Sequence, residues 1–278
     1  MKNKPLVIYH ASCLDGFGAA FAFWKVFGKN ADYHPGVYGD PCPDVTDRDV
    51  YMLDFGYKRN VVEGMVKFAK SVTLIDHHVT TINALADVDG IDRYTDIHQS
   101  GAVLAWKYAQ DVLFLDAEIP QLIKHIQDRD LWNFELPFTK EVIAGLSSYD
   151  FNFMDWDSII YEVGNEFLIQ EGNTILRYHK KNLLQVLEEC TREMFIVGEP
   201  VPCASVPYFM ASDAGEILNK GKPFSATYYD TDKHRVFSLR SEKGKGWDVS
   251  AVAAQYGGGG HKHAAGFMVT RQHHLAKV

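Results

Sequence analysis

The chain has 278 residues, 46% of them hydrophobic and 23% charged, with a formal net charge of −8. That length and apolar content suffice for two domains or one large α/β domain, while the acidic balance argues against a protein that grips long duplex nucleic acid by neutralising its phosphates. No apolar run approaches the roughly 18 residues of a membrane span.

Near the start, Leu6–Tyr9 reads as a short apolar strand that runs into His10, Cys13 and Asp15. It is too brief for the hydrophobic region of a signal peptide. The four cysteines, Cys13, Cys42, Cys190 and Cys203, have neither zinc-finger nor redox-pair spacing. A reduced, cytoplasmic setting is therefore expected. Gly16 to Phe27, rich in small and aromatic residues, fits a buried helix. A second strand, Val50–Leu53, ends at Asp54, and helical spacing follows from Lys58 to Phe68. A third, Ser71–Ile75, ends in Asp76-His77-His78. Ser100 is placed as the N-cap of a helix to Tyr108, and Pro120 to Ile126 continues a helical pattern.

Strands alternating with helices predict a mostly parallel sheet covered on both faces. In such folds ligands bind outside the carboxyl ends of the strands. His10, Asp15, Asp54, Asp76, His77 and His78 all fall at those ends, so the pattern predicts one polar crevice. Imidazoles and hard oxygen donors together suit manganese, magnesium, iron or zinc better than a structural thiolate site. Two such ions about 3.5–4 Å apart are the general apparatus of phosphoester hydrolysis. Asp54, ending a strand between the other two, is the natural bridge. Asp76 is expected to orient an imidazole rather than bind metal.

After about residue 140 the character changes. Tyr149 to Tyr161 is aromatic and acidic, and Glu171 to Phe195 reads as one long amphipathic helix. Gly198-Glu-Pro-Val-Pro202 marks a break. Strand signals follow at Phe224–Tyr229 and Val236–Leu239, then a helix at Val249–Tyr256. The expected organisation is a parallel-sheet domain at 1–145, a helical connector at 146–197 and a smaller α/β domain at 198–278. In the last, the glycines of Gly257–Gly260 leave backbone N–H groups able to approach an anion. His261 could donate to the same group, and Arg240, on a short strand, could clamp a phosphate. Trp132 and several tyrosines could stack on bases, although core packing is the commoner role of such rings.

Together, His10-Ala-Ser-Cys-Leu-Asp-Gly16, Asp54, Asp76-His77-His78, Asp128-Arg-Asp-Leu-Trp132, Phe237-Ser-Leu-Arg-Ser241 and Gly257-Gly-Gly-Gly-His261 resemble the DHH phosphoesterase family with its DHH-associated C-terminal domain. The resemblance covers nearly the whole chain. It implies two divalent metal ions, with His10 serving one and Asp15 the other, Asp54 bridging, and His77 and Asp128 completing the second site. Asp130 competes with Asp128, which is favoured by position. His78 would face the scissile phosphate. Arg240, His261 and the backbone at Gly258, Gly259 and Gly260 would hold the substrate's terminal phosphate or base edge.

One departure stands out, because Cys13 occupies the place where many relatives carry a carboxylate for the first metal. A thiolate there would favour a softer or transition metal over magnesium, manganese being the ion expected; alternatively Cys13 is a spectator and the first site is weak or filled only with substrate. The activity implied is hydrolysis of short single-stranded RNA, linear dinucleotides such as linear diguanylate foremost, to mononucleotides, with no membrane partner and a homodimer left open. The alternatives are a cyclic-dinucleotide phosphodiesterase, a nucleoside 3',5'-bisphosphate phosphatase and a non-catalytic nucleotide sensor.

Overall fold

The apolar runs at Leu6, Val50 and Ser71 are the central strands of an all-parallel sheet in the computed structural model, which describes residues 3–277. Two compact units divide the chain, Met1–Leu176 and Arg177–Val278, so the division falls at neither 145 nor 197 but inside one long helix.

The first unit runs β1 (Leu6–His10), α1 (Leu14–Phe27), β2 (Asp32–Gly36), β3 (Asp49–Leu53), α2 (Arg59–Phe68), β4 (Ser71–Asp76), α3 (Val79–Leu85), β5 (Asp92–Thr95), α4 (Gly101–Asp111), α5 (Gln121–Asp130), α6 (Thr139–Leu146), α7 (Phe153–Ser158) and the start of α8 (Asn165–Cys190). Its strand order is β2-β1-β3-β4-β5. Alternate strand residues feed two cores, as the two-residue period of a strand requires. Val7, Leu53 and Ile75 join Phe17, Phe21 and Trp106 on one face, whereas Ile8, Met52 and Leu74 join Val62, Met65 and Leu85 on the other. Because β2 and β3 lie on opposite sides of β1, the chain reverses direction across the sheet between β1 and β3. A ligand crevice forms where the connections diverge in this way.

β2 (DYHPG) and β5 (DRYT) were not legible as strands. Both lie at the sheet's edges, with a single neighbour each, and need no continuous apolar run.

The second unit holds the remainder of α8, then β6 (Thr191–Ile196), β7 (Glu199–Ser205), α9 (Ala211–Leu218), β8 (Ser225–Asp230), β9 (His234–Arg240), α10 (Val249–Ala254), β10 (Gly259–His261) and β11 (Ala264–Thr270). The strands form one mixed sheet, ordered β10-β11-β9-β8-β7-β6. The long helix ends at Cys190 rather than Phe195. From Thr191 the chain turns through Val197 and Gly198, at φ 49° and 85°, into a two-residue hairpin. Both central residues having positive φ matches the twist of the flanking strands. Among the described residues, no helix is long and apolar enough to cross a membrane.

Candidate metal centre

β1 delivers His10 at its last position, and the chain turns through Ser12, at φ 53°, into α1. Gly16 permits that tight return: a Cβ there would lie 2.4 Å from the His10 carbonyl oxygen. Asp15, in the first turn of α1, is buried, and its carboxylate accepts hydrogen bonds from the backbone N–H groups of Gly101 (2.6 Å) and Ala102 (3.0 Å). Those donors open α4, where unsatisfied N–H groups favour an anion. Gly101 is required at this contact, since a Cβ would meet the Asp54 Cβ at 2.5 Å.

Asp54 follows β3 in a left-handed conformation, φ 53°, and is buried. A non-glycine residue held there costs about 1–3 kcal/mol and persists only where its surroundings enforce it. β4 then supplies Asp76, whose Oδ1 accepts from the backbone N–H of His77 (2.7 Å) and of His78 (3.1 Å) and lies 2.8 Å from His78 Nδ1. Asp76 thus orients His78, and it also falls within a group of ligand-type atoms with Asp54, His77 and His78.

Ligand-type atoms gather here into two adjoining groups and a third that overlaps them, Asp54, Asp76, His77 and His78. His10, Cys13 and Asp54 form one; Asp15, His77 and Asp130 form the other, each with its donor atoms within 4.8 Å of one another. Asp54 joins them: its Oδ2 lies 3.4 Å from His10 Nδ1 and 3.7 Å from Cys13 Sγ, and its Oδ1 lies 3.2 Å from His77 Nε2. His77 Nε2 is in turn 3.7 Å from Asp15 and 3.6 Å from Asp130.

Three carboxylates this close repel one another. Burial, then the charges of Asp54 and Asp130, push Asp15 well above the usual carboxylate range. Asp130 is raised by burial and by Asp54, against the pull of His77. Burial also opposes ionisation of Asp54, yet His10 and His77 overcome it and hold Asp54 low. His77 is raised to about 10 because Asp54, Asp130 and Asp15 outweigh its burial, and His78 to about 9 because Asp76 does the same. Cys13 is driven well up by burial and by Asp54, Asp15 and Asp130, so its thiol stays protonated when no cation is near.

The donor set fits divalent cations. His10 Nδ1 and Asp54 Oδ1 are closed off from solvent and make no hydrogen bond, a costly state that coordination would relieve. A cation among Asp15, Asp54 and Asp130 would also remove their mutual repulsion.

Asp128 lies outside this gathering, and its expected place is taken by Asp130. Asp128 Oδ1 accepts from Glu135 N (2.8 Å), and Oδ2 accepts from Leu136 N (3.1 Å) and from Thr139 Oγ1 (2.5 Å). The carboxylate therefore clasps the loop after α5. The glycine run, expected to offer backbone N–H groups to an anion, makes hydrogen bonds within the protein. Gly257 and Gly258 donate to Ala254 and Ala253 to end α10, and Gly259 to His261 form β10, paired with β11. A Cβ at Gly258 would lie 2.1 Å from the Gly266 carbonyl oxygen, so close strand packing explains that glycine without a ligand. Arg240 ends β9 and donates to Ser212 Oγ (2.7 Å) and the Leu239 carbonyl (2.8 Å). His261 lies on β10 at the sheet's edge.

Gly101 escaped the sequence reading altogether. The available signal was a glycine at the first position of a helix, where it weakens the helix unless something needs its space.

No family model matches the chain. It is 29% identical over 289 residues to the uncharacterized protein R106 of Acanthamoeba polyphaga mimivirus, an alignment that takes in 94% of this chain and 66% of the viral one. The chain thus spans just under two thirds of that relative's length. Among solved structures, it is similar to the pGpG-specific phosphodiesterase PggH of Vibrio cholerae, with a TM-score of 0.52, 13% identity and coverage of 96% of this chain and 94% of that one. It is also similar to an exopolyphosphatase-related protein of Bacteroides fragilis, with a TM-score of 0.56, 15% identity and coverage of 96% and 86%. What these two structures share with the chain is its fold.

Proposed function

We propose that the chain is a metal-dependent phosphodiesterase that cleaves short oligoribonucleotides, linear dinucleotides foremost, into mononucleotides. One observation carries the reading: two ligand groups, His10/Cys13/Asp54 and Asp15/His77/Asp130, meet through Asp54 and His77 at 3.2 Å. They do so where the parallel sheet reverses its winding. The motifs resembling DHH phosphoesterases and the fold shared with a pGpG-specific phosphodiesterase support the substrate class.

In this reading His10, Cys13 and Asp54 would hold one ion and Asp15, His77 and Asp130 the other. Bound divalent ions supply Lewis acidity toward phosphoryl oxygens and a nucleophile near neutral pH. The chain's own residues do the rest. The start of α4 fixes Asp15 by two N–H groups, so that ligand cannot swing away. Asp76 grips His78 at Nδ1 and favours its protonated form, which suits His78 to donate from Nε2 to a phosphoryl oxygen as charge accumulates. Arg240 and His261 are the proposed contacts for the substrate's terminal phosphate.

Manganese is the proposed ion, two per chain, since two imidazoles, with Cys13 as a thiolate once a cation is bound, favour it over magnesium. The reading is tested by a manganese-supplemented assay over a length series of 5'-phosphorylated oligoribonucleotides, with cyclic diguanylate and diadenylate in parallel. A maximum at two residues, with manganese above magnesium, is expected. Faster cleavage of the cyclic compounds would transfer the assignment to a cyclic-dinucleotide phosphodiesterase, and no cleavage of any diester would defeat it.

A further inference from the structure

One side of the metal centre is walled by an aromatic ring that none of the expected ligands explains. Tyr38 follows β2, and its ring lies 5.4 Å from that of His10, at 66°, and 4.8 Å from that of Phe55, at 38°. The support beneath it is rigid. Phe55 is fully buried, adjoins Asp54 in sequence and packs edge-on against Tyr57 at 4.9 Å. Gly36 makes room for Phe55, because a Cβ there would approach the ring to 2.8 Å. On its far side His10 faces the ring of His78 at 6.4 Å. A line of rings thus runs from the core, through Tyr38, to the imidazoles of the centre.

Despite these contacts Tyr38 remains 53% exposed. A large ring fixed by two neighbours and still open to solvent is what a stacking surface requires: little side-chain entropy is left to lose when a second ring arrives.

We propose that Tyr38 is a substrate-binding residue that stacks on a flat ring carried by the substrate, a nucleobase, beside the phosphate under attack. This rests on the phosphodiesterase reading and sharpens it. Ringless substrates such as pyrophosphate or polyphosphate gain nothing from such a wall, whereas a nucleotide does.

The test uses the full chain loaded with manganese, as wild type, Tyr38→Phe, Tyr38→Leu and Tyr38→Ala, with adenosine 5'-monophosphate and inorganic phosphate as calorimetric probes. Wild type and Tyr38→Phe are expected to prefer the nucleotide. Tyr38→Ala and Tyr38→Leu should lose roughly 5- to 150-fold in nucleotide affinity, the span of one base–aromatic stack, with phosphate affinity unchanged. Tyr38→Leu retains apolar bulk and decides the matter if the alanine variant folds poorly. Equal loss for both probes, or no loss for either, overturns the proposal. Dinucleotide turnover separates the two readings. A wild type inert on every diester, but with a nucleotide preference that Tyr38→Leu abolishes, refutes the phosphodiesterase and keeps the stacking site. An active wild type whose KM is unchanged in Tyr38→Leu refutes the stacking site alone.

Discussion

At the carboxyl ends of β1 and β3, buried polar atoms of His10 and Asp54 lack hydrogen bonds, whereas Gly257 and Gly258 bond to their own helix and Gly259 to His261 pair with β11. Both regions are dense in residues that suggest ligand chemistry. The difference is one of satisfaction. The N–H groups of Gly257 and Gly258 are already bonded within the protein, while the Asp and His groups are left with repelling charges and unbonded atoms that call for a cation. Unmet polar demand inside a fold is thus the stronger pointer to a site than an unusual sequence.

The sharpest way to break this contrast is Asp54→Asn. Removing the carboxylate shared by both groups should lower turnover about 10²- to 10³-fold, the scale for losing one preorganised charge-stabilising group. Steady-state kinetics with saturating manganese checks this, and retention of near-wild-type turnover would mean that the two groups do not act together.

Next in size is the pair Asp130→Asn and Asp128→Asn. The first should weaken metal binding while leaving the fold intact. The second should cost about 1–3 kcal/mol of stability, because it loosens a clasp holding three donors, and should leave metal binding alone. Burial opposes ionisation of Asp128, but Thr139, Glu135 and Leu136 lower its pKa overall. Its stabilisation is therefore present above the usual carboxylate pKa of about 3.9 and is lost as pH falls through the depressed folded value. Denaturant melts at neutral and acid pH should show the variants converging at low pH. Equal metal loss in both variants would reinstate Asp128 as a ligand.

The smallest effect belongs to the glycine segment. Gly258→Ala should cost about 1–3 kcal/mol by overpacking against β11, with the manganese stoichiometry of the chain unaltered. Thermal melts with and without manganese read both quantities. A change in the number of bound ions would undo the contrast between the two regions.

Much of this was legible in the residues. The strands ending at His10, Asp54 and Asp76 announced themselves because central parallel strands are apolar throughout and a polar residue marks where they stop. Ser100 was identified as a cap, and its oxygen accepts from Val103 N–H. What could not be read depended on the third dimension. Asp128 and Asp130 differ by two positions on one helix, and only the path of the following loop decides which faces His77. Gly101 owes its role to Asp54, 47 positions earlier in the chain. That Gly259 to His261 pair with β11 could not be read, because local sequence does not reveal a pairing partner.

Equilibrium dialysis of manganese against the full chain at neutral pH, with Asp54→Asn alongside, addresses the central claim most directly. About two ions per wild-type chain and a marked loss in the variant are expected. Wild-type protein that takes up no manganese, or a variant that binds it equally well, would contradict it.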